Sequence, residues 1–433
     1  MVITKKYLVF PVSDFVKVRE IDFYSKDKLL DDIYIKLDYI NPKYNIYYPV
    51  EKYKGLNIDV IIHPDINFRW DQTDEPDYTF VYNCPFRPKL HFTAAFGWLN
   101  DPNGLFEYTS KVTGEKVYNM YFQYNPYGNI WGNIHWGHAV SKDLLHWEQK
   151  SSVMAPDELG MIFSGSAVVD SENRSGLKSG EEDVILIYYT AAGGTNKLSE
   201  NKKFTQCIAY SNDCGKTFVK YKENPIIQNV GNDNRDPKVV WCEEMQCYVM
   251  ALYLKEGTSS FGIFTSRDLL HWKFLQEMVI DGDAECPDLY PIYVQDGERE
   301  RKWVITAASG KYIICECSEN GFQIIQQAMP LNYTLHSYAA QTFYNVSDDR
   351  IIRMSWNRDV FFPESPFSQQ MSIPYDIVLK KKDNLYILCA KPIKELEKLI
   401  CDKYEIKNIS ISENNERIKR YVAFPSIPYP QIQ

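Results

Sequence analysis

The chain has 433 residues, of which 45% are hydrophobic and 24% charged, and its formal net charge is −9. The acidic balance excludes the basic surface with which nucleic-acid-binding proteins pair with phosphates, and no apolar run reaches the length of a membrane-spanning helix. The length exceeds what one ordinary hydrophobic core holds, so we expect two domains or one large repeat-built domain with an appendage, and neither a nucleic-acid nor a membrane partner.

The first eleven residues differ from a signal peptide. They contain two lysines, few apolar residues and no small-residue cleavage pattern. The sequence therefore predicts a cytoplasmic protein, or a secreted one if this N-terminus is not native. The ten cysteines are scattered without the paired spacing of a zinc site, so we expect reduced thiols, no metal and no cofactor. The oligomeric state is left open.

Short segments of alternating polar and apolar residues predict strands along most of the chain. Clear examples are residues 33–40, 57–62, 117–123, 184–190 and 248–254. Helical periodicity is nearly absent before Lys391, and only residues 392–400 read as a short helix. The prediction is an all-β chain with a small N-terminal β module at 1–85, a main domain at 86–400 and a C-terminal tail at 401–433.

Two internal repeats predict the architecture of the main domain. The segment SKDLLHW at 141–147 recurs as SRDLLHW at 266–272, with a weaker relative at 211–218. A second series of polar or acidic motifs leads into apolar strands: NDPNG at 100–104, FSGS at 163–166, RDP at 235–237, ECP at 285–287 and AQTF at 340–343. Repeats of about fifty to seventy residues with four strands each are typical of β-propeller blades, so five members predict five blades.

Three carboxylates in this second series lie close to prolines: Asp101, Asp236 and Glu285. Proline restricts the preceding residue, so we expect these carboxylates to be held in extended backbone at the start of a strand. Each motif alone is an ordinary turn former. Every blade of a propeller contributes the same corner to the axial channel, however, so the three carboxylates are expected to converge, and two opposed carboxylates can hydrolyse a glycosidic bond.

The chain resembles glycoside hydrolase family 32, the family of invertases, inulinases and levanases, between about residues 87 and 399. The matching motifs are WLNDPNG (98–104), FQYNP (122–126), WGNIHWGHA (131–139), FSGSA (163–167), RDPK (235–238), ECPD (285–288), YAAQTF (338–343) and QQM (369–371). The resemblance implies a five-bladed propeller and a retaining double displacement. It implies Asp101 as nucleophile, Glu285 as general acid/base and Asp236 as transition-state stabiliser.

By the same resemblance, the terminal fructosyl unit is expected to bind in a pocket lined by Asn100, Gln123, Trp131, Phe163, Ser164 and Arg235. Arg235 is expected to keep the neighbouring Asp236 ionised. The expected substrates are sucrose, inulin or levan, cleaved from the fructose end. A fructosyltransferase and a catalytically inactive fructan-binding propeller stay open as alternatives.

Two features depart from the family pattern, and a third is shared with only some members. Asp283-Ala284 stand where relatives commonly carry a tryptophan before the Glu-Cys motif, which is expected to remove an aromatic wall or to add a charge beside Glu285. The C-terminal β-sandwich of the family is expected to be missing or truncated, with 401–433 as a remnant of its linker. The N-terminal module resembles a small β domain that precedes the propeller in some bacterial members.

Overall fold

The structure is a computed structural model, which describes residues 1–66, 68–79, 81, 84–231, 233–295, 300–332 and 336–400. The described residues form strands and a few short 3₁₀ helices, which confirms the all-β prediction. No helix among them is both long and apolar enough to cross a membrane. The predicted tail at 401–433 lies outside the described residues.

The N-terminal module consists of two three-stranded antiparallel sheets. Its strands are β1 (Tyr7–Val12), β2 (Arg19–Ser25), β3 (Lys28–Ile35), β4 (Tyr44–Pro49), β5 (Asp59–His63) and β6 (Asp71–Thr73), with a 3₁₀ helix at Glu51–Tyr53. The sheet orders are β4-β1-β6 and β3-β2-β5. The rings of Phe23 and Tyr48 stack between the sheets at 4.3 Å. The same core includes Phe96 and Tyr127, so the module packs against the next domain; its boundary at 85 stays a prediction.

Four units of four strands each follow the module, before a fifth unit of six strands. The strands of the first two are β7 (Gly97–Thr109), β8 (Lys116–Asn125), β9 (His135–Ser141), β10 (Trp147–Met154), β11 (Met161–Asp170), β12 (Val184–Ala192), β13 (Thr205–Ser211) and β14 (Val219–Lys220). Those of the next two are β15 (Arg235–Cys242), β16 (Cys247–Tyr253), β17 (Ser260–Ser266), β18 (Lys273–Val279), β19 (Asp288–Gln295), β20 (Arg301–Thr306), β21 (Lys311–Ser318) and β22 (Gly321–Pro330). In each unit, consecutive strands are hydrogen-bonded neighbours.

The fifth unit closes the ring. It contains β23 (Ser337–Thr342), β24 (Ile351–Asn357), β25 (Phe367–Ser368), β26 (Gln370–Met371), β27 (Tyr375–Lys382) and β28 (Leu385–Pro392). The remaining 3₁₀ helices are Lys197–Ser199, Ser347–Asp349 and Lys394–Leu399. Strand β25 pairs in parallel with the start of β7, which joins the last blade to the first. The fold is therefore the predicted five-bladed propeller.

The predicted strands agree with the observed ones except near residue 36. Strand β3 ends at Ile35, whereas the alternating pattern extends the strand to 40. The strand stops because the Asp38 carboxylate accepts hydrogen bonds from the backbone N–H groups of Ile40 and Asn41, which forms a turn. The predicted helix at 392–400 is a 3₁₀ helix, Lys394–Leu399.

The SKDLLHW repeat is the turn between the third and fourth strands of a blade. Asp143 accepts hydrogen bonds from the backbone N–H groups of Leu145 and His146, at 3.0 and 2.9 Å. Asp268 accepts the equivalent bonds in the third blade, at 3.0 and 2.8 Å. Asp213 forms the corresponding turn of the second blade. The repeat in the sequence thus marks the outer edge of three consecutive blades.

A buried ion pair joins the inner strands of the third, fourth and fifth blades. Lys238 Nζ lies 2.9 Å from Asp288 Oδ1, and both side chains are at least 97% buried. Lys238 Nζ also donates to the Thr342 carbonyl oxygen at 3.0 Å, and the Thr342 N–H donates to Asp288 Oδ2 at 2.9 Å. Strands β15, β19 and β23 are therefore held together by one polar cluster.

Lys238→Met is expected to destabilise the protein by roughly 3–5 kcal/mol, because it leaves the Asp288 carboxylate buried without its cation. Urea unfolding measures the loss. Lys142→Met, which breaks an exposed pair with Glu115, is the matched control and should cost less than about 1 kcal/mol. The double variant with Asp288→Asn should recover part of the loss. Equal losses for the two single lysine variants would contradict the role given to the cluster.

Candidate active site

Each inner strand carries a backbone irregularity at the motif that the second repeat series marks. The register shifts between Leu99 and Pro102 in β7, and between Phe163 and Gly165 in β11. It shifts again between Arg235 and Lys238 in β15 and between Tyr338 and Gln341 in β23. In the fourth blade, Glu285 and Cys286 both have a φ of +42° just before β19. Such bulges redirect side chains, here at the start of the inner strands of the first, second, third and fifth blades.

The backbone of Asp236 differs from the expectation. Its φ is +66°, in the left-handed region, so the extended geometry expected before Pro237 is wrong. The same expectation is wrong for Glu285, whose φ is +42°. The bulge explains the difference: the Asp236 N–H leaves the strand ladder and donates to Thr190 Oγ1 at 3.0 Å. Aspartate tolerates this region better than most residues, and local strain of this kind is common at active sites.

Asp101 and Asp236 meet around Cys286. The Cys286 N–H donates to Asp236 Oδ2 at 2.9 Å. Its Sγ lies 3.4 Å from the same oxygen and 3.6 Å from Asp101 Oδ2. Ser164 Oγ donates to Asp101 Oδ2 at 2.6 Å. These four residues line one small cavity, so the structure brings together the side chains of the first four blades as expected.

Glu285 is held at both carboxylate oxygens. Arg235 donates to its Oε2 from Nη2 at 2.7 Å and from Nε at 3.2 Å. The Tyr338 hydroxyl donates to its Oε1. Arg235 Nε lies 3.8 Å from Asp236 Oδ2, and Arg235 also pairs with Glu256. Arg235 is therefore closer to Glu285 than to Asp236, the carboxylate that it was expected to keep ionised.

The site stabilises protonated carboxyl groups. Burial raises the pKa of Asp236 to about 7, because desolvation and the charges of Glu285 and Asp101 outweigh the attraction of Arg235. Burial also raises the pKa of Asp101, and the Glu285 charge adds to this, while the Ser164 hydrogen bond opposes it. The expectation that Arg235 keeps Asp236 ionised is therefore not met near neutral pH, because burial and two neighbouring carboxylates oppose the effect of this cation.

Of the other residues expected to line the pocket, Ser164, Phe163 and Trp131 contact Asp101 or each other. Asn100 and Gln123 are buried and bond to Trp98 and Ile162. Ser164 contacts Asp101 directly, and Trp131 and Phe163 meet edge to face with ring centroids 6.1 Å apart. Asn100 is buried and accepts a hydrogen bond from Trp98 Nε1 at 3.0 Å. Gln123 is also buried, but its Nε2 donates to the Ile162 carbonyl oxygen at 2.8 Å, so it braces the start of β11.

Asp283 does not present its charge to the site. Its carboxylate accepts hydrogen bonds from the backbone N–H groups of Ala284, Ser309 and Lys311, at 2.9 to 3.1 Å. The Ala308 N–H in turn donates to the carbonyl oxygens of Ala284 and Glu285. Asp283 therefore fixes the loop that carries Glu285. We had expected it either to remove an aromatic wall or to add a charge beside Glu285, and its bonding to this loop was not foreseen.

Several residues of the site were not singled out from the sequence. Tyr338 and Cys286 stand inside quoted motifs, so their position next to the acidic residues was a usable signal. Phe204, whose ring centroid lies 5.5 Å from that of Phe163, and Glu256 belong to no motif. Only the folded chain brings them to the pocket.

The carboxylates of the site are not part of a metal-ligand group among the described residues. The group that has ligand spacing there is Cys242, Glu244 and Cys317, with the two sulfur atoms 3.5 Å apart. Cys242 ends the strand that Arg235 begins, so this group lies at the other end of β15 from the site.

Comparison with known proteins identifies similar chains. A family model described as the glycosyl hydrolases family 32 N-terminal domain matches residues 91–392. The levanase of Bacillus subtilis (strain 168) is 34% identical over 362 residues, which cover 78% of this chain and 51% of the levanase. The chain thus spans about half the length of that relative.

Solved structures are similar as well. The exo-inulinase of Aspergillus awamori superimposes with a TM-score of 0.63 and 30% identity, covering 72% of this chain and 68% of that one. The fructofuranosidase of Schwanniomyces occidentalis, solved in complex with fructose, gives a TM-score of 0.62 and 32% identity, covering 71% and 63%.

Asp236→Asn is expected to stabilise the protein more at pH 8 than at pH 5. The folded state raises the pKa of Asp236 to about 7, so wild type loses stability as pH rises from the usual carboxyl range through 7, whereas asparagine does not titrate. The gain should grow by roughly 2–3 kcal/mol between the two pH values. Urea unfolding measures it, with the exposed carboxylate variant Asp348→Asn as control. An equal gain at both pH values would argue against a buried titrating group.

Proposed function

Because the chain belongs to glycosyl hydrolase family 32, we propose that it hydrolyses β-fructosidic bonds with retention of configuration. Asp101 serves as nucleophile, Glu285 as general acid/base and Asp236 as stabiliser of the transition state. The observation that carries this proposal is the cluster of Asp101, Asp236 and Glu285 around Cys286 and Arg235.

In the first step, an Asp101 carboxylate oxygen attacks the anomeric carbon of the fructosyl unit. The bond to the leaving oxygen breaks as Glu285 transfers its proton to that oxygen. Ser164 fixes the orientation of the Asp101 carboxylate through its 2.6 Å hydrogen bond, which keeps one oxygen anchored while the other reacts. The product of this step is a fructosyl ester of Asp101 and a free leaving sugar.

In the second step, water attacks the same carbon, Glu285 accepts its proton, and the ester bond to Asp101 breaks. Glu285 must therefore gain and lose one proton per cycle. Arg235 and Tyr338 hold its two oxygens in place through this cycle.

The proposed substrate is the terminal fructosyl unit of sucrose, inulin or levan. Relatives named levanase, invertase and exo-inulinase support this class, as does the structure of a relative in complex with fructose. The cavity beside Asp101 and Asp236 is lined by segments of all five blades, so the two carboxylates lie near the propeller axis, a position that suits attack at a chain end. Asp236 and Asn100 offer hydrogen-bond partners for sugar hydroxyls, while Trp131 and Phe163 offer apolar faces for the ring C–H groups.

Asp101→Asn and Glu285→Gln are expected to reduce hydrolysis of sucrose, inulin and levan by at least roughly 10²-fold, since each removes a group that takes part in bond cleavage. Chromatography of the products over time measures the rates. Free fructose as the first product indicates exo action, whereas a trisaccharide formed from concentrated sucrose indicates the fructosyltransferase alternative.

The matched control is Asp348→Asn, which removes an exposed carboxylate of the fifth blade outside the site and should leave the rates unchanged. Wild-type activity in both site variants would refute the proposed roles. A wild-type protein that binds fructans without cleaving them would instead identify an inactive binding propeller.

A further inference from the structure

Three aromatic rings form a wall next to Ser164 of the site: those of Trp131, Phe163 and Phe204. The ring centroid of Phe163 lies 6.1 Å from that of Trp131 and 5.5 Å from that of Phe204, both edge to face. Phe163 directly precedes Ser164, which donates to Asp101, so the wall begins beside the proposed nucleophile. Trp131 is 52% exposed, so the wall extends outward, where a sugar beyond the fructosyl unit would lie.

The loop that carries Trp131 is tied to the N-terminal module. Asn133 is 3% exposed, and its side-chain amide pairs with the backbone of Tyr34 in β3. Its Oδ1 accepts from the Tyr34 N–H, and its Nδ2 donates to the Tyr34 carbonyl oxygen, both at 2.8 Å. The amide thus extends the ladder of β3 and fixes the backbone two residues from Trp131.

The segment that leads to Phe204 is tied to the same sheet. The Lys197 N–H donates to Asp32 Oδ1 at 3.0 Å, and its Nζ donates to Asp22 Oδ2 at 2.6 Å. Lys197 Nζ also pairs with Glu20 at 2.5 Å. Asp22 and Asp32 are opposite each other in the register of β2 and β3, so one lysine spans both strands.

The contact of Lys197 with strands β2 and β3 involves buried charges. Asp22 and Asp32 are 2% and 6% exposed, and each has one carboxylate oxygen without a hydrogen-bond partner among the described residues. Buried carboxylates are costly unless a cation compensates them. Lys197 lies between β12 and β13 of the second blade. Its ammonium compensates the buried charge of Asp22, and this contact keeps the propeller segment against the module.

We propose that the N-terminal module positions the substrate pocket: its sheet β3-β2-β5 holds the two segments that carry Trp131 and Phe204, and thereby determines the affinity for the sugar on the leaving side. Lys197 and Asn133 are positioning residues, since they act through the aromatic wall. This inference rests on the proposed function, and it gives the module a part in substrate recognition.

Lys197→Met is expected to raise KM for sucrose and inulin roughly 3–10-fold while kcat stays within about twofold, because a loosened wall must be ordered on binding. Hydrogen exchange of the backbone in residues 193–204 should become faster. Lys197→Arg should restore both values, because its guanidinium can also pair with the carboxylates of Asp22 and Glu20. Lys5→Met is the matched control, since it breaks the Lys5–Asp74 pair of the same module and should change neither.

If Lys197→Met does not fold, the double variant Lys197→Met with Asp22→Asn is measured in its place. It removes both charges of the Lys197–Asp22 pair. Unchanged KM in these variants would overturn the inference, whether or not exchange becomes faster, because the module would then not influence binding. A wild type that cleaves neither sugar would refute the proposed function instead. In that case sucrose binding measured by calorimetry takes the place of KM, because sucrose carries a sugar on the leaving side.

Discussion

The arrangement of the site depends on the buried cluster of Lys238, Asp288 and Thr342. Lys238 is two residues from Asp236, and Asp288 is three residues from Glu285, so the ion pair fixes the strands immediately behind both carboxylates. The backbone at Asp236 and Glu285 lies in the left-handed region, which persists only where the surroundings determine it strongly. Three inner strands held by one charged pair supply that rigidity.

The same packing places acidic groups where they repel each other. Asp101 and Asp236 line one cavity, the charge of Glu285 acts on both, and Arg235 is the cation that Asp236 and Glu285 have in common. Such a cluster costs stability, which is usual where a site is built for chemistry and not for folding. Lys238 and Asp288 lie one layer deeper and do not add to this repulsion, because their charges compensate each other.

Much of the fold could be predicted from the sequence, because it follows from local patterns. Period-two alternation predicted strands such as β8, β12 and β16, and the series from NDPNG to AQTF predicted five inner strands.

The features that could not be predicted depend on contacts between distant segments. The φ of Asp236 follows from a hydrogen bond to Thr190, and the contact of Arg235 with Glu285 follows from how two blades meet. Phe204 and Lys197 acquire their positions from the second blade and the N-terminal module together.

The parallel pairing of β25 with β7 has a consequence for biosynthesis. Gly97 donates its N–H to the Pro366 carbonyl oxygen, and Phe367 pairs with Gly97, so the first blade receives its last strand from near the end of the described chain. While the ribosome is still adding the intervening residues, the edge of β7 has no partner. An unpaired edge strand is open to pairing with other chains, and contacts between distant residues form slowly. The nascent protein is therefore most exposed to aggregation in the interval before its ring can close.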